Sequence, residues 1–383
     1  MISILDNDLY KFSTSYAYMK LFPEAVGTFQ FIDRNKTPRT EEFLHNYIKE
    51  LKSLSEVKLT EEEKEWCIKN IPYIPSCYWE WLSSFTYDYN KFYAYLDEDK
   101  VLNVLITDYL YKATLWEIPC LYSVTEIANK DKVVKAYTDF YKKIQSKIEF
   151  ANDNSLNFSE FGTRRRFSFN IQNSVCSYLK KYSKTCVGTS NVYFAMKYDM
   201  KPIGTHPHEW FMFHGAIYGY RQANYLALEN WVKVYDGDLG IALTDTFGTN
   251  AFFEQMSLKQ AKLFDGLRQD SGYEIEFVKK AIHFYVEKGI DYSTKTIVFS
   301  NALDFLKAIK IKTYCDNRNI KSSFGIGTNL TNDVGYPPEN IVMKLCTCQI
   351  NKDKPVRYCI KLSDDKGKEC GLEREIKLAY ESL

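Results

Sequence analysis

The chain carries almost no net charge. Over its 383 residues, 50 basic side chains stand against 49 acidic ones. A balance that even creates no long-range field, so bulk charge gives no support to a nucleic-acid or membrane-surface role. Long apolar runs are missing as well. No stretch approaches the roughly eighteen apolar residues that a membrane-crossing helix needs. The opening Met1-Ile2-Ser3-Ile4-Leu5-Asp6 has neither the basic start nor the apolar core of a secretory signal. Internal repeats and low-complexity linkers are absent. Ten cysteines scatter from Cys67 to Cys370 without a regular framework, in a chain too long to need disulfide staples. The closest pair, Cys346 and Cys348, shares one face of an expected strand. Two reduced structural thiols are the expectation there, with a metal pair as the alternative. The expected compartment is the cytoplasm.

What is present is an ordinary soluble composition, 45% hydrophobic and 26% charged. The 30 Tyr and 25 Phe are expected mostly in cores and interfaces. The length allows two or three domains, or one large barrel with an appended domain.

Spacing predicts a capped amphipathic helix over 6–22 and a strand over 28–34 that ends on Arg34. Residues 37–100 read as helical and charged, with Trp66, Trp79 and Trp81 as packing anchors. One or two strands are expected over 100–110 and a helix over 125–150. Phe158 to Arg166 reads as a strand end that presents Arg164, Arg165 and Arg166, either to an anion or to solvent. Helices are expected over 169–182 and from about Val192. Beyond residue 271 strands and helices alternate: a helix capped by Ser271 and stopped by Gly289, strands over 296–300, 322–328 and 341–346, and a helix over 303–311. Strand–helix units in series imply a parallel sheet and favour a barrel whose active groups lie at the strands' carboxyl ends. A basic turn, Lys361 to Lys368, lies in the tail.

The chemistry gathers between Lys201 and Gly272. Three of the five histidines, His206, His208 and His214, fall within nine residues. On a strand or extended turn His206 and His208 would share a side, as the first two ligands of a zinc hydrolase do. Such a site needs further histidines, and only His45 and His283 remain, both in helix-like polar contexts. Core packing is the plainer expectation for His206 and His214. Asp245 and Asp270 are carboxylates at two expected strand ends, suited to orienting a histidine, holding magnesium or binding a ribose. Arg268 beside Asp270 suits a phosphate and a hydroxyl on one substrate. Gly325-Ile326-Gly327-Thr328 after a strand offers amides and a hydroxyl to a phosphate. Together these point to a barrel enzyme for a phosphorylated sugar, with a histidine available as base or nucleophile.

Eight segments, in order from about residue 6 to residue 368, resemble the nicotinate phosphoribosyltransferase family. They are Asp8-Leu9-Tyr10-Lys11, Thr28-Phe29-Gln30-Phe31, Trp116-Glu117-Ile118-Pro119, Glu160-Phe161-Gly162-Thr163-Arg164-Arg165, Gly188-Thr189-Ser190-Asn191, Gly204-Thr205-His206-Pro207-His208-Glu209-Trp210-Phe211, Gly266-Leu267-Arg268-Gln269-Asp270-Ser271-Gly272 and Phe324-Gly325-Ile326-Gly327-Thr328. The resemblance implies an α/β class, type II phosphoribosyltransferase-like. An α/β sandwich domain would occupy residues 1–117, completed by 345–383, and an irregular α/β barrel residues 118–344. It also implies a homodimer with shared active sites.

The implied reaction joins nicotinate to phosphoribosyl pyrophosphate, giving nicotinate mononucleotide and pyrophosphate, with coupled ATP hydrolysis and Mg2+. His208 matches the transiently phosphorylated histidine and Asp245 its supporting acid. Arg268 and Asp270 match residues that hold the sugar phosphate, and Gly327 and Thr328 its 5′-phosphate loop. Phe161 and Arg164 match nicotinate-site positions, while Tyr10 and Arg34 match positions reaching a neighbouring subunit's site. Thr205, Ser300 and Lys344 complete the expected substrate-binding set. Asn301 stands where the family usually has Asp, which removes one negative charge. Related nicotinamide enzymes carry Asp after their Gly-Thr turn; Ser190 stands there in this chain and favours the acid as substrate. Nicotinamide or quinolinate transfer, a zinc-dependent barrel hydrolase and a phosphosugar-binding dimer without turnover are the alternatives.

Overall fold

A computed structural model describes residues 2–365 and 367–383, and of residues 133–139 the backbone alone. Met1 and Lys366, the latter within the expected basic turn, lie outside the described residues. Eleven strands occur among these residues: β1 (Val26–Asp33), β2 (Phe92–Leu96), β3 (Leu102–Tyr109), β4 (Phe158–Glu160), β5 (Cys186–Thr189), β6 (Ile241–Leu243), β7 (Gly266–Gln269), β8 (Thr296–Phe299), β9 (Lys321–Ile326), β10 (Ile341–Gln349) and β11 (Arg357–Tyr358). The chain forms two compact units. The first is Met1–Tyr16, Thr28–Gly204 and Ile326–Lys344; the second is Ala17–Gly27, Thr205–Gly325 and Leu345–Leu383.

In the first unit the strand order is β10-β1-β3-β2, and β4 pairs parallel with β5. β1 alternates half-buried and buried residues along its whole length, the period of a strand with one face in a core. β2 and β3 form an antiparallel hairpin running from Phe92 opposite Ile106 to Leu96 opposite Leu102. The Asp97 carboxylate closes its turn by accepting from the Asp99 and Val101 amides. Three helices (Glu41–Ser53, Glu61–Asn70 and Ser76–Ser84) fill part of the region that reads as helical, but β2 within it is a strand. Its Phe92-Tyr93-Ala94-Tyr95-Leu96 carries no β-branched residue and lies among charged helix-like neighbours. Trp79 is fully buried, whereas Trp66 and Trp81 are half-buried. The helix expected over 125–150 is two helices, Glu117–Asn129 and Val133–Asp153, divided by a 3-10 turn.

The second unit holds the parallel array β6, β7, β8, β9. Leu243 lies opposite Arg268, and Arg268 opposite Val298. Since the strands run the same way, residues at equal offsets past this row end on one level. Two positions on, those residues are Asp245, Asp270 and Ser300. Gly266 permits the close approach of β7 to β8: a Cβ there would lie 1.9 Å from the Thr296 carbonyl oxygen. The crossover after β7 is the helix Glu274–Glu287, and Gly289 (φ +66°) follows its end. Its cap residue is Tyr273 rather than Ser271, whose hydroxyl is engaged elsewhere. All ten cysteines are free thiols; Cys348 and Cys359 are buried with their Sγ atoms 3.5 Å apart.

Candidate active site

His208 is the first residue of the helix His208–Tyr218, with Pro207 as its cap residue. It therefore does not share a strand face with His206. His206 is fully buried, packed edge-on by Phe211 at 5.0 Å and Trp231 at 5.1 Å between ring centroids. Neither of its ring nitrogens has a hydrogen-bond partner among the described residues. His214 is buried between the Trp210 carbonyl, 2.7 Å from Nδ1, and the Asn230 amide, 2.9 Å from Nε2. Both are core histidines, as the plainer expectation has it, and the alternative of a His206–His208 ligand pair is not formed.

The His208 ring is held from both sides. Nδ1 lies 3.0 Å from the Thr246 hydroxyl, and Nε2 lies 3.0 Å from Asp270 Oδ2 and 3.7 Å from Asp245 Oδ1. Two carboxylates beside Nε2 favour a proton on that nitrogen, which leaves the lone pair on Nδ1. Burial, followed by the Lys361 ammonium, lowers the imidazole pKa to about 4 against the opposing pull of Asp245 and Asp270. The ring is thus neutral near pH 7, the form that can act as a nucleophile.

Register explains why the two carboxylates meet. Asp245 follows β6 and Asp270 follows β7, each two positions past paired residues. Asp270 Oδ1 accepts from the Ser300 hydroxyl at 2.6 Å and from the Arg268 guanidinium at 3.2 Å. Arg268 also donates to the Ser300 hydroxyl at 2.9 Å and to Thr205 at 3.4 Å. Burial alone would raise the Asp270 pKa, but Arg268 and then His208 hold it well below the usual carboxylate range. Asp245 is fully buried. Its Oδ2 accepts from Ser271 at 2.6 Å and from Lys361 at 3.1 Å. Burial works against its ionisation, while Lys361 and then His208 outweigh that effect and lower its pKa. His208, Asp245, Asp270, Arg268, Thr205 and Ser300 form one cluster. Asn301, beside it, contacts Asp365 and Lys368 at 3.5 Å each.

The remaining expected residues belong to the first unit. Phe161 and Gly327 lie on adjoining loops: the Phe161 amide donates to the Ile326 carbonyl at 2.9 Å, and a Cβ on Gly327 would meet the Phe161 carbonyl at 2.9 Å. Thr331, in the short helix that Thr328 begins, donates to the Gly162 carbonyl at 2.9 Å. The Phe161–Arg164 loop and the Gly327–Thr328 loop therefore come together. Arg164 lies 3.8 Å from Glu117, which also pairs with the buried Lys11. Burial raises the Glu117 pKa, yet Lys11, Arg164 and Lys344 hold it below its ordinary value. Tyr10 lies at the start of the helix Leu9–Leu21, with the Lys11 ammonium 5.2 Å from its ring centroid. Arg34 is exposed just past β1.

Arg166 parts from its neighbours. It is 1% exposed and donates to both oxygens of Asp6, to Glu126 and to Gln172. It is structural, not a ligand-facing residue. Ser190 donates to Asp8 at 2.6 Å. Sequence reasoning missed Thr246, Ser271, Glu117 and Lys361 as site residues. Adjacency to Asp245 and Asp270 could have marked the first two; nothing local marks Lys361.

Among the described residues, His208, Asp245 and Asp270 form a group whose possible ligand atoms lie within 4.8 Å of one another. Magnesium takes oxygen ligands, typically one or two carboxylates together with substrate phosphates and water. The two aspartates fit that set, and Asp245 Oδ1 is a buried oxygen without a hydrogen-bond donor among the described residues.

Residues 156–377 match the nicotinate phosphoribosyltransferase (NAPRTase) family, and residues 5–125 match that family's N-terminal domain. The nicotinate phosphoribosyltransferase of Chromohalobacter salexigens is 41% identical over 388 residues, covering 100% of this chain and 98% of its own. That of Desulforapulum autotrophicum is 40% identical over 377 residues, covering 98% and 96%. The chain belongs to the nicotinate phosphoribosyltransferase family. Its fold is the mixed α/β fold of that family, type II phosphoribosyltransferase-like. The crystal structure of the nicotinate phosphoribosyltransferase from Porphyromonas gingivalis matches with a TM-score of 0.98 at 44% identity, covering 100% of this chain and 99% of that one. The Vibrio cholerae structure matches with a TM-score of 0.91 at 30% identity, covering 99% and 93%. Membership in the nicotinate phosphoribosyltransferase family leaves no ground for the zinc-hydrolase alternative. No helix among the described residues is long and apolar enough to cross a membrane.

Proposed function

We propose that this enzyme condenses nicotinate with phosphoribosyl pyrophosphate to nicotinate mononucleotide and pyrophosphate, the first step of NAD salvage from nicotinate. ATP is hydrolysed alongside through a phosphohistidine at His208. Family membership over the full chain supports the transfer reaction. The observation that carries the coupling is the environment of His208: an imidazole gripped at both nitrogens, beside two carboxylates and a guanidinium.

In the coupling step, the Nδ1 lone pair attacks the γ-phosphorus of ATP, a P–N bond forms and ADP departs with the electrons of the broken P–O bond. Thr246 swings aside to open Nδ1, while Asp270 and Asp245 stabilise the proton on Nε2. The phosphorylated ring sits at the N-terminus of an eleven-residue helix, where added negative charge is favoured. The new charge and acceptor oxygens order nearby loops and tighten the sugar-phosphate site, so ATP hydrolysis draws an otherwise balanced transfer toward product. Water then releases phosphate and restores His208. Bound magnesium, held by Asp245 and Asp270, would neutralise phosphate charge.

Arg268 binds the sugar phosphate, with Thr205 and Ser300 fixing its guanidinium, and the Gly327–Thr328 turn takes the 5′-phosphate. Phe161 stacks on the pyridine, Arg164 faces its carboxylate, and Lys344 adds positive charge. Tyr10 and Arg34 serve a neighbouring subunit's site in a homodimer. The expected division into a sandwich (1–117 with 345–383) and a barrel (118–344) is retained as part of this reading. Pyrophosphate release with nicotinate, nicotinamide and quinolinate supplied in turn tests the substrate. Release with nicotinate alone is expected, and a preference for either other pyridine would refute the assignment. His208→Asn is expected to abolish ATP hydrolysis and phosphoenzyme while keeping some uncoupled transfer; full coupling in that variant would remove His208 from its role.

A further inference from the structure

Lys361 belongs to none of the segments that carry the family resemblance, yet its ammonium reaches the catalytic carboxylate. We propose that Lys361 is a positioning residue for phosphoryl transfer at His208, gripping one oxygen of Asp245 so that the other faces the imidazole. Nζ lies 3.1 Å from Asp245 Oδ2, which the Ser271 hydroxyl also meets at 2.6 Å. With Oδ2 tied twice, rotation of the carboxylate is restrained and Oδ1 stays 3.7 Å from His208 Nε2.

The segment that carries Lys361 is itself fastened to the site. Lys361 and Cys370 exchange two backbone hydrogen bonds of 2.9 Å. The Leu362 amide donates to the Thr246 carbonyl at 2.8 Å, and the Thr246 hydroxyl meets the other nitrogen of His208. The Asp364 amide donates to the Ser271 hydroxyl at 3.1 Å, and Asp365 accepts from the Gly272 amide at 3.0 Å. Residues 361–365 thus brace both turns that flank the ring. Charge complements this geometry. Lys361 and Arg268 together balance Asp245 and Asp270, so an incoming polyphosphate meets no net negative cluster.

The proposal rests on the reading of His208 as phosphoryl acceptor, and the wild-type enzyme is the arm that tests that reading. The full chain is mixed with radiolabelled ATP and phosphoenzyme formation is followed, with the nicotinate KM measured in parallel. Lys361→Met is expected to slow phosphoenzyme formation about 10- to 100-fold, the usual scale for losing a partner that orients a reacting group. Nicotinate KM should stay unchanged, and Lys361→Arg should recover part of the rate. A folded Lys361→Met variant at the wild-type rate overturns the assignment, as does a nicotinate KM that worsens in step with the rate. If Lys361→Met does not fold, Lys361→Gln replaces it with the same two outcomes. Wild-type enzyme that forms no phosphoenzyme overturns the reading of His208, and this inference with it.

Discussion

Replacing Arg166 with Met should damage stability far more than the same change at Arg164, two positions earlier. Arg166 donates to Asp6 Oδ1 and Oδ2 at 2.7 and 2.8 Å, to Glu126 at 2.7 Å and to Gln172 at 3.1 Å. Its guanidinium also lies 4.1 Å from the Tyr122 ring centroid. Methionine keeps much of the buried stem but leaves Asp6, which is fully buried, with the Asn191 amide at 2.9 Å and no cation. Stripping one partner from a buried ion pair costs about 3–5 kcal/mol. At about 2–4 °C per kcal/mol for a domain of 150–250 residues, the melting temperature should fall by about 6–20 °C. Arg164 has a side chain 35% exposed and stands 3.8 Å from Glu117, which keeps Lys11 as a partner, so Arg164→Met should cost clearly less than Arg166→Met. Thermal melts of the two variants and the wild type, in one buffer, compare these losses directly. If Arg166→Met and Arg164→Met melt together, the division of the arginine run into one structural and one ligand-facing member is wrong.

His206 offers a second test. Its folded pKa is lowered by burial to about 3, below the unfolded value of about 6.5. Its contribution is therefore full above pH 6.5 and is lost as pH falls from there toward 3, because the unfolded chain takes up the proton first. His206→Phe, in a pocket of Phe211 and Trp231, should flatten the fall in stability between pH 6 and pH 4 by about 1.4 kcal/mol per pH unit. Denaturant titrations across that range read the slope, and an unchanged slope counts against a neutral, buried ring. At the substrate end, Arg164→Lys should raise the nicotinate KM much more than that for phosphoribosyl pyrophosphate, because one bidentate fork is lost. Equal rises for both substrates, measured by initial rates, would take Arg164 out of the pyridine pocket.

Much of this fold could be read from pattern. Strong periods survive folding: the helix over 169–182, the strands over 296–300 and 322–328 and the Gly289 stop all lie within a residue or two of where spacing puts them. β2 was hidden because Phe92–Leu96 carries no β-branched residue and lies among charged helix-like neighbours, whereas the shorter Thr296–Phe299 is β-branched and apolar. The site divides in the same way. Asp245 and Asp270 were legible as carboxylates at two strand ends, which parallel strands bring to one level, while Ser300 came only with the family resemblance. The condition under which His206 and His208 would share a side, an extended backbone, fails because Pro207 between them caps a helix that begins at His208. Ser271 looked like a helix cap, but its hydroxyl answers to Asp245 from another strand end. Lys361 was visible only as the start of a basic turn; its burial against Asp245 was not, since that partner is remote in sequence and a lysine beside polar turn residues normally faces water.

That remoteness has a consequence for how the protein is made. Asp245 and its lysine are separated by 116 positions along the chain. A nascent polypeptide leaving the ribosome has the His208 ring, both aspartates and Arg268 before any cation stands behind Asp245. Until residues 361–365 arrive, Asp245 lacks the ammonium that does most to lower its pKa in the folded chain. A chain clipped ahead of Lys361 should lose the ammonium and also the amide bonds from Leu362 and Asp364 to Thr246 and Ser271, so its phosphoenzyme formation should fall at least as far as that of Lys361→Met.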